Sequence, residues 1–444
     1  MKLVRKLAWV VAGIAVLAIA FTAWLTFQPS PTGFAGGTHV ALSDYSGPTP
    51  TGIPRDVALN DRIARGEYVT RMADCEACHT ARGGTPFAGG RPFKLPFGTI
   101  YTPNLTPDVK TGIGAWTDDQ FVRAVHRGIG PDGKRLYPAF PYGSYAMMTD
   151  ADVLAIKAYL FSLRPVHAPT APNTFVFPFN QRWLMIFWST LFNRTGEFEP
   201  TREQSASWNR GAYLVEATGH CGECHTSRNV MQAMNQRLKF AGGQAEGWNA
   251  YNITGDAGTG VGAWSAADIA SYLSTGHAQG RGTASGPMAE VVALSTSHLS
   301  PSDIGSIALY LKSVPALHSA TLTDTLAGPA PVSPRAGRPG DPSGKRIFEG
   351  ACASCHSWTG AGALLPQADL TGSRAVNDPS AINVAQMILS GTGPQRAGRP
   401  YMPGFGAAYS DREIADTANF VTARFGSHPS RVDAKDVARL RGQN

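Results

Sequence analysis

The six cysteines of this 444-residue chain are its strongest constraint, because all of them fall in one repeated pentapeptide. Cys-x-x-Cys-His occurs at Cys75–His79 (motif one), Cys221–His225 (motif two) and Cys352–His356 (motif three). Each copy places two thiols on one turn, with a histidine directly after the second thiol. The chain must therefore fold into a structure that uses the same small constellation three times.

The spacing of these side chains is that of a c-type haem attachment site. Two thiols so placed can add to the two vinyl groups of one porphyrin, and the histidine then lies under the iron as an axial ligand. A thioredoxin-like disulfide would need a βαβ context, and a zinc site would need four ligands, which three isolated motifs do not supply. We therefore predict three covalently bound haem c groups. The residues that bind them are Cys75, Cys78, Cys221, Cys224, Cys352 and Cys355, with His79, His225 and His356 as proximal iron ligands.

A sixth ligand separates an electron carrier from a haem that is open to oxygen or peroxide. Methionines provide the predicted distal ligands. Met402 lies in the loop "YMPGFG", Met288 in "GPMAEVV", and Met148 just before the last helix of the first repeat. Ligation by methionine and histidine raises the reduction potential relative to two histidines, which suits accepting electrons from another cofactor.

Other side chains compete for the distal positions. Met387 lies in "AQMILS", which has the pattern of a helix core, and Met231 and Met234 lie close to motif two, so packing roles are expected for these three. Met147 directly precedes Met148, and His126 is a further candidate in the first repeat.

Aligning the chain on its motifs exposes an internal repeat. A glycine and an aromatic residue precede each motif, and "FAGG" follows the first two. Each repeat closes with a helix-start signature, "TDAD" from Thr149, "SPSD" from Ser300 and "SDRE" from Ser410, in which a hydroxyl caps the helix and an acid follows. The pattern predicts three helical modules. Their ranges are 50–165 (module one), 200–315 (module two) and 341–426 (module three).

The remaining segments have distinct compositions. Residues 166–199 form an aromatic connecting strap, which either packs between the modules or faces a partner subunit or the membrane interface. Residues 316–340 are a linker rich in Pro, Ala and Gly, and residues 427–444 are a tail. The net charge of +7 is mild and its basic residues are scattered, so no nucleic-acid partner is expected.

Residues 1–30 are predicted to be a signal peptide or a membrane anchor. Lys2, Arg5 and Lys6 precede a run without charges from Ala8 to Phe27. About twenty helical residues span a bilayer, whereas "AIA" at residues 18–20 would allow cleavage as a signal. The expectation is a bacterial inner (cytoplasmic) membrane location with the haem modules facing the periplasm.

Each module resembles a class I cytochrome c domain. The expected fold is therefore mainly α, with three tandem class I cytochrome c domains behind an N-terminal hydrophobic helix. The runs "CEACHTARGG", "PNLTPDVKTGIGAWTDDQFVRAVHRGIGPDGKRLYPAFPY" and "SGPMAEVV" resemble the triheme cytochrome c subunit of bacterial membrane-bound dehydrogenases. This family serves alcohol dehydrogenase with pyrroloquinoline quinone (PQQ) and the flavin-dependent gluconate, sorbitol and fructose dehydrogenases.

The resemblance implies a role in electron transfer. Electrons would leave a dehydrogenase catalytic subunit that carries PQQ or flavin, cross the haems and reach ubiquinone at the membrane. Related cytochromes also serve aldehyde and molybdenum hydroxylase-type enzymes, and the chain shows no substrate site of its own. Two other hypotheses stay open: a free-standing carrier between a quinol-oxidising complex and a terminal oxidase, and a peroxidase that acts at an open haem.

Overall fold

The computed structural model describes residues 30–57, 61–193, 196–319, 342–393 and 401–443, with a few isolated positions before residue 17. Helices dominate this part of the chain, and its sheets are short two-stranded hairpins. The mainly helical fold class is thus confirmed.

Module one starts with a helix whose N-cap, Asp61, accepts a hydrogen bond from the backbone N–H of Ala64. The helix ends shortly before motif one, which forms a helical turn of its own. The strap after this module contains one helix. The elements are α1 (Arg62–Met72), α2 (Cys75–Cys78), β1 (Pro92–Leu95), β2 (Gly98–Tyr101), α3 (Asp118–Arg127), α4 (Tyr142–Tyr145), α5 (Asp150–Ser162) and, in the strap, α6 (Leu184–Phe192).

Module two repeats this order of helices and adds a second short hairpin. Its first helix continues into a π-helical stretch, Tyr213–Thr218, before motif two. Its hairpins are antiparallel, as in module one. The elements are α7 (Ala206–Ala212), α8 (Gly222–His225), β3 (Gly243–Ala245), β4 (Trp248–Ala250), α9 (Ala266–Thr275), β5 (His277–Ala278), β6 (Gly282–Thr283), α10 (Pro287–Leu294) and α11 (Pro301–Ser313).

Module three is shorter and also has a π-helical stretch, Phe348–Cys352, leading into its motif. Residues 427–444, predicted as a tail, contain a helix that packs on the closing helix of this module. The elements are α12 (Pro342–Ile347), α13 (Ala353–His356), α14 (Ile382–Ser390), α15 (Asp411–Phe425) and α16 (Ala434–Gln443). Short 3-10 turns complete the described chain at Gly33–Ala35, Leu42–Asp44, Gln236–Leu238, Thr296–His298 and Pro366–Ala368.

In every module the helix before the motif crosses the closing helix at a glycine. A Cβ atom added to this glycine would lie 2.0–2.1 Å from a backbone carbonyl oxygen of the closing helix, which is too close for any side chain. The crossing therefore needs a residue without Cβ. The glycine and carbonyl pairs are Gly66 with Ala155, Gly211 with Ser306, and Gly344 with Asp416.

The predicted starts of the closing helices are confirmed. The hydroxyls of Thr149, Ser300 and Ser410 each accept a hydrogen bond from the backbone N–H three residues later. At Ser410 the Glu413 carboxylate also accepts the Ser410 backbone N–H, which completes a capping box. These caps fix where each closing helix begins.

Modules one and two share one hydrophobic core, whereas module three has its own. The shared core carries a reciprocal pair of buried hydrogen bonds. Tyr68 of module one donates to Asp303 of module two at 2.8 Å, and Tyr213 of module two donates to Asp152 of module one at 2.6 Å. Each tyrosine lies two residues after a crossing glycine, so the two modules are joined by equivalent positions of the repeat.

The strap touches both neighbouring modules and leaves much of its apolar surface exposed. Tyr137 of module one donates to the Phe179 carbonyl, and the Trp188 indole donates to the Met231 carbonyl of module two. Phe175 is buried, but Phe177 is 78% exposed. Several other large apolar side chains of the strap are also exposed. The strap is therefore a packed connection on one side and an apolar surface on the other.

The predicted inner-membrane location is wrong. Within the described residues, no helix is both long enough and apolar enough to cross a membrane. A span needs about twenty apolar helical residues in one piece. The run from Ala8 to Phe27, on which the prediction depended, lies mostly outside the described residues, as does most of the 316–340 linker.

Candidate haem-binding sites

Each cysteine motif folds as a single helical turn. In motif one the His79 backbone N–H donates to the Cys75 carbonyl at 3.0 Å, and in motif two His225 donates to Cys221 at the same distance. A turn of this kind places the two thiols on one side. It also directs the histidine ring away from the helix and toward the loop that follows.

The three motif histidines make the same second contact. In each ring Nδ1 lies within hydrogen-bond distance of a backbone carbonyl oxygen. Because a carbonyl can only accept, Nδ1 carries the proton and Nε2 keeps the lone pair for a metal. The contacts are His79 with Pro103 at 2.8 Å, His225 with Tyr251 at 2.6 Å and His356 with Ala368 at 2.7 Å.

Burial keeps these rings neutral. It lowers the pKa of His79 to about 4, against the weaker opposing effect of the Pro103 carbonyl. The pKa values of His225 and His356 are lowered for the same first reason. A neutral imidazole with a fixed tautomer is the form that ligates iron.

The "FAGG" loops form hydrogen bonds with the ends of the first two motifs. Phe87 and Phe240 both have a φ of 62°. The backbone N–H of each donates to a threonine hydroxyl at 3.1 Å, Thr80 for the first and Thr226 for the second. The loop then donates a backbone N–H to the carbonyl of the motif histidine, in both modules. The repeated sequence therefore builds a repeated cradle around the motif.

All six cysteines are free thiols, and burial keeps five of them protonated. Burial raises the pKa of Cys75, Cys221 and Cys224 to about 12 and that of Cys352 to about 11, and it raises the pKa of Cys78 well above its ordinary value. Disulfide exchange needs a thiolate, so these thiols are poorly suited to thioredoxin-like redox chemistry.

Taken together, the residues fit a covalently attached haem. Two free thiols and one neutral imidazole with an anchored Nδ1 recur at all three motifs. This is the donor set for two thioether bonds and one axial iron ligand.

The predicted distal methionines lie in three different settings. Met148 is 1% exposed and belongs to the core shared by modules one and two, next to Met147. Met288 is half-buried against the same core. Met402 is half-buried against the core of module three, and its backbone N–H donates to the Thr392 hydroxyl at 3.0 Å.

The competing side chains are placed as follows. Met387 is half-buried in α14, as its helix-core pattern indicates, and Met231 is 53% exposed. The Met234 sulfur lies beside Gly222 of motif two. Nδ1 of His126 faces the Asp150 carboxylate at 3.5 Å, and its Nε2 is buried without a hydrogen-bond partner among the described residues.

Motifs one and two are neighbours. Helix α10, which carries Met288, packs against α2, which carries motif one. Tyr145 lies between the motifs, since its hydroxyl donates to the Ala73 carbonyl at 2.6 Å and its ring meets the His220 ring edge-on at 5.4 Å.

Arg91 joins motif one to module two, and the sequence did not predict this. Its guanidinium donates to the Ala77 carbonyl inside motif one at 2.6 Å. It also pairs with two carboxylates of module two, Glu290 at 2.5 Å and Glu246 at 3.0 Å. Arg91 follows the first "FAGG" directly, but the sequence holds no signal for partners that lie 155 and 199 residues away.

The chain is similar to known c-type cytochromes. The Cytochrome c family profile matches residues 63–164 and 343–424. The chain is 38% identical to the gluconate 2-dehydrogenase cytochrome c subunit of Pantoea cypripedii, covering 87% of this chain and 91% of that one. It is 36% identical to the cytochrome c subunit of alcohol dehydrogenase (quinone) from Gluconobacter oxydans, covering 85% and 82%.

A third similarity concerns a longer protein. The chain is 41% identical to a nicotinate dehydrogenase subunit of Pseudomonas putida over 82% of its own length, but it spans only 30% of that protein.

Proposed function

Because this chain belongs to the cytochrome c family, we propose that it is a triheme electron-transfer subunit of a dehydrogenase complex. Each module is a class I cytochrome c domain that carries one haem c on its two cysteines. His79, His225 and His356 are the proximal ligands, and Met148, Met288 and Met402 the distal ones. When bound, haem c supplies one-electron transfer, and two protein ligands per iron leave no position for a substrate.

The observation that carries this proposal is the repeated anchoring of the histidine Nδ1 atoms by backbone carbonyls. It leaves the neutral Nε2 of each ring available as a metal ligand. The close packing of motifs one and two in a shared core supports transfer of electrons between these two modules. The chain itself positions the ligating side chains, excludes water from them and keeps the modules in contact.

The relatives support a dehydrogenase partner. Those named as cytochrome subunits of gluconate 2-dehydrogenase, fructose dehydrogenase and alcohol dehydrogenase (quinone) align along most of their length. We propose that the partner of this chain is a catalytic subunit with PQQ or flavin, and that ubiquinone accepts the electrons.

Purification of the tagged chain from its native host tests this proposal. We expect a stoichiometric large subunit that contains PQQ or flavin, identified by mass spectrometry. The intact mass and a pyridine haemochrome assay should report three covalent haems per chain. Fewer than three haems would contradict the triheme assignment.

A second candidate is a free-standing carrier between a quinol-oxidising complex and a terminal oxidase. One relative, from Cereibacter sphaeroides, is named only as a "diheme cytochrome c-type" protein. That protein is 37% identical and 98% of its length is covered. Recovery of the cytochrome alone, or with oxidase subunits, would support this candidate and contradict the dehydrogenase proposal.

A further inference from the structure

One arginine of module three, Arg374, contacts module two. The guanidinium of Arg374 lies against the loop that follows β4, where its hydrogen-bond acceptors are backbone carbonyls. It donates to Asn252 at 3.1 Å, to Gly260 at 2.7 Å and to Thr259. The same guanidinium lies over the Tyr251 ring, 5.6 Å from its centre.

This loop is also the support of the motif-two histidine. Tyr251, which lies under the guanidinium, accepts the Nδ1 hydrogen bond of His225 at 2.6 Å through its backbone carbonyl. Tyr251 therefore contacts both Arg374 and His225, the proximal ligand predicted for the second haem. Arg374 reaches this position from the next module, beyond the 316–340 linker.

Arg374 thus places a positive charge beside the residue that supports His225. The equivalent supports of His79 and His356 are the carbonyls of Pro103 and Ala368.

The surroundings compensate this charge only in part. The carbonyl acceptors are neutral, and Asp256 makes the smallest of the contributions that favour the charged guanidinium. Asp378 is bound to the Tyr251 hydroxyl, which donates to it at 3.2 Å. Loss of hydration lowers the pKa of Arg374 to about 10, so the side chain still carries its charge at neutral pH.

We propose that Arg374 of module three raises the reduction potential of the haem bound at His225 in module two. This inference rests on the proposed function. Ferric haem carries one more positive charge than ferrous haem, so a nearby cation that is shielded from water destabilises the ferric state. The docking of module three would then set the potential of its neighbour.

Spectroelectrochemical titration of the full haem-loaded chain tests the inference. In Arg374→Gln we expect the ferrous-to-ferric ratio of one haem to fall about tenfold at a fixed potential, a shift of ~59 mV for one electron. The other two potentials should stay unchanged. A Cys221→Ala/Cys224→Ala variant identifies the module-two component as the one that disappears.

Two further variants separate charge from docking. Arg374→Lys keeps the charge but loses the guanidinium fork, and we expect a potential near that of the wild type. Arg412→Gln removes an exposed arginine of the same module, 84% exposed, and should shift no potential.

The outcomes are distinct. An unchanged module-two potential in Arg374→Gln, with all haems present, would overturn the inference. So would an equal shift in Arg374→Lys, because the effect would then come from hydrogen bonds. A chain without haem at Cys221 and Cys224 would instead contradict the proposed function itself.

Discussion

Gly66, Gly211 and Gly344 show how a single missing side chain positions each haem motif. The helix that leads into the motif can approach the closing helix only where no Cβ atom intervenes. The residues that follow the glycine are then fixed relative to the closing helix. The crossing thus fixes the position of the two cysteines relative to the closing helix.

We expect Gly211→Ala to destabilise the protein strongly. Its Cβ would lie 2.0 Å from the Ser306 carbonyl oxygen, so α7 and α11 must separate. Overpacking of a core costs about 1–3 kcal/mol, and a backbone atom cannot yield as a side chain can. Urea unfolding of the haem-loaded protein measures the loss.

Gly305 provides the matched control for this change. It lies on the same helix α11, and a Cβ at this position would meet no atom within 4 Å. Gly305→Ala should therefore raise the free energy of unfolding by up to ~1 kcal/mol through helix propensity. Equal losses in both variants would contradict the crossing argument.

At the scale of the element, the closing helices are set by their caps. Ser410 and Glu413 satisfy each other's backbone N–H groups at the start of α15. This helix carries Ile414, Ala418 and Phe425, which are fully buried in the module-three core. A shifted helix start would displace these residues together.

Replacement of the cap should weaken module three alone. We expect Ser410→Ala to reduce the free energy of unfolding by ~1 kcal/mol, because the N–H of Glu413 loses its acceptor. Ser410→Asp supplies another acceptor and should restore most of the loss. A calorimetric scan in which the module-three transition does not respond to Ser410→Ala would count against this role of the cap.

For the whole molecule, the distribution of core residues divides the chain into two cooperative parts. Modules one and two are packed around one core, and module three around another. We expect differential scanning calorimetry of the haem-loaded chain to show two unfolding transitions, the larger for modules one and two together. Three separate transitions would contradict the shared core.

The buried pair Arg210–Asp303 belongs to the larger part. The two side chains are 9% and 1% exposed, and Asp303 also accepts from Tyr68 of module one. Asp303→Ala leaves the Arg210 charge buried and unpaired, which costs about 3–5 kcal/mol. The larger transition should therefore move to lower temperature.

An exposed pair in the same cooperative part provides the comparison. Asp132 and Lys134 of module one are 52% and 67% exposed. Since such pairs contribute about 0–1 kcal/mol, Asp132→Ala should leave both transitions almost in place. Similar shifts for Asp132→Ala and Asp303→Ala would show that burial of the pair is not what matters.

The sequence by itself determined the features that depend on neighbours along the chain. The thiols and histidine of each motif lie within five residues, so their chemistry follows from spacing, and the caps at Thr149, Ser300 and Ser410 are equally local. Hydropathy, by contrast, led to a wrong membrane prediction. A run without charges is compatible with a membrane-spanning helix but does not establish one. Among the described helices, none has the length and apolarity that a membrane span needs.

Only the tertiary structure decided which modules share a core and which charges face which motif. Arg91, Arg374 and the two reciprocal tyrosine–aspartate pairs act on partners more than sixty residues away or in another module. Contacts of this kind arise from the packing of whole helices, and their partners leave no periodic or spaced pattern in the chain. The cysteine motifs are therefore readable from the sequence, whereas the electrostatic setting of each motif is a property of the assembled fold.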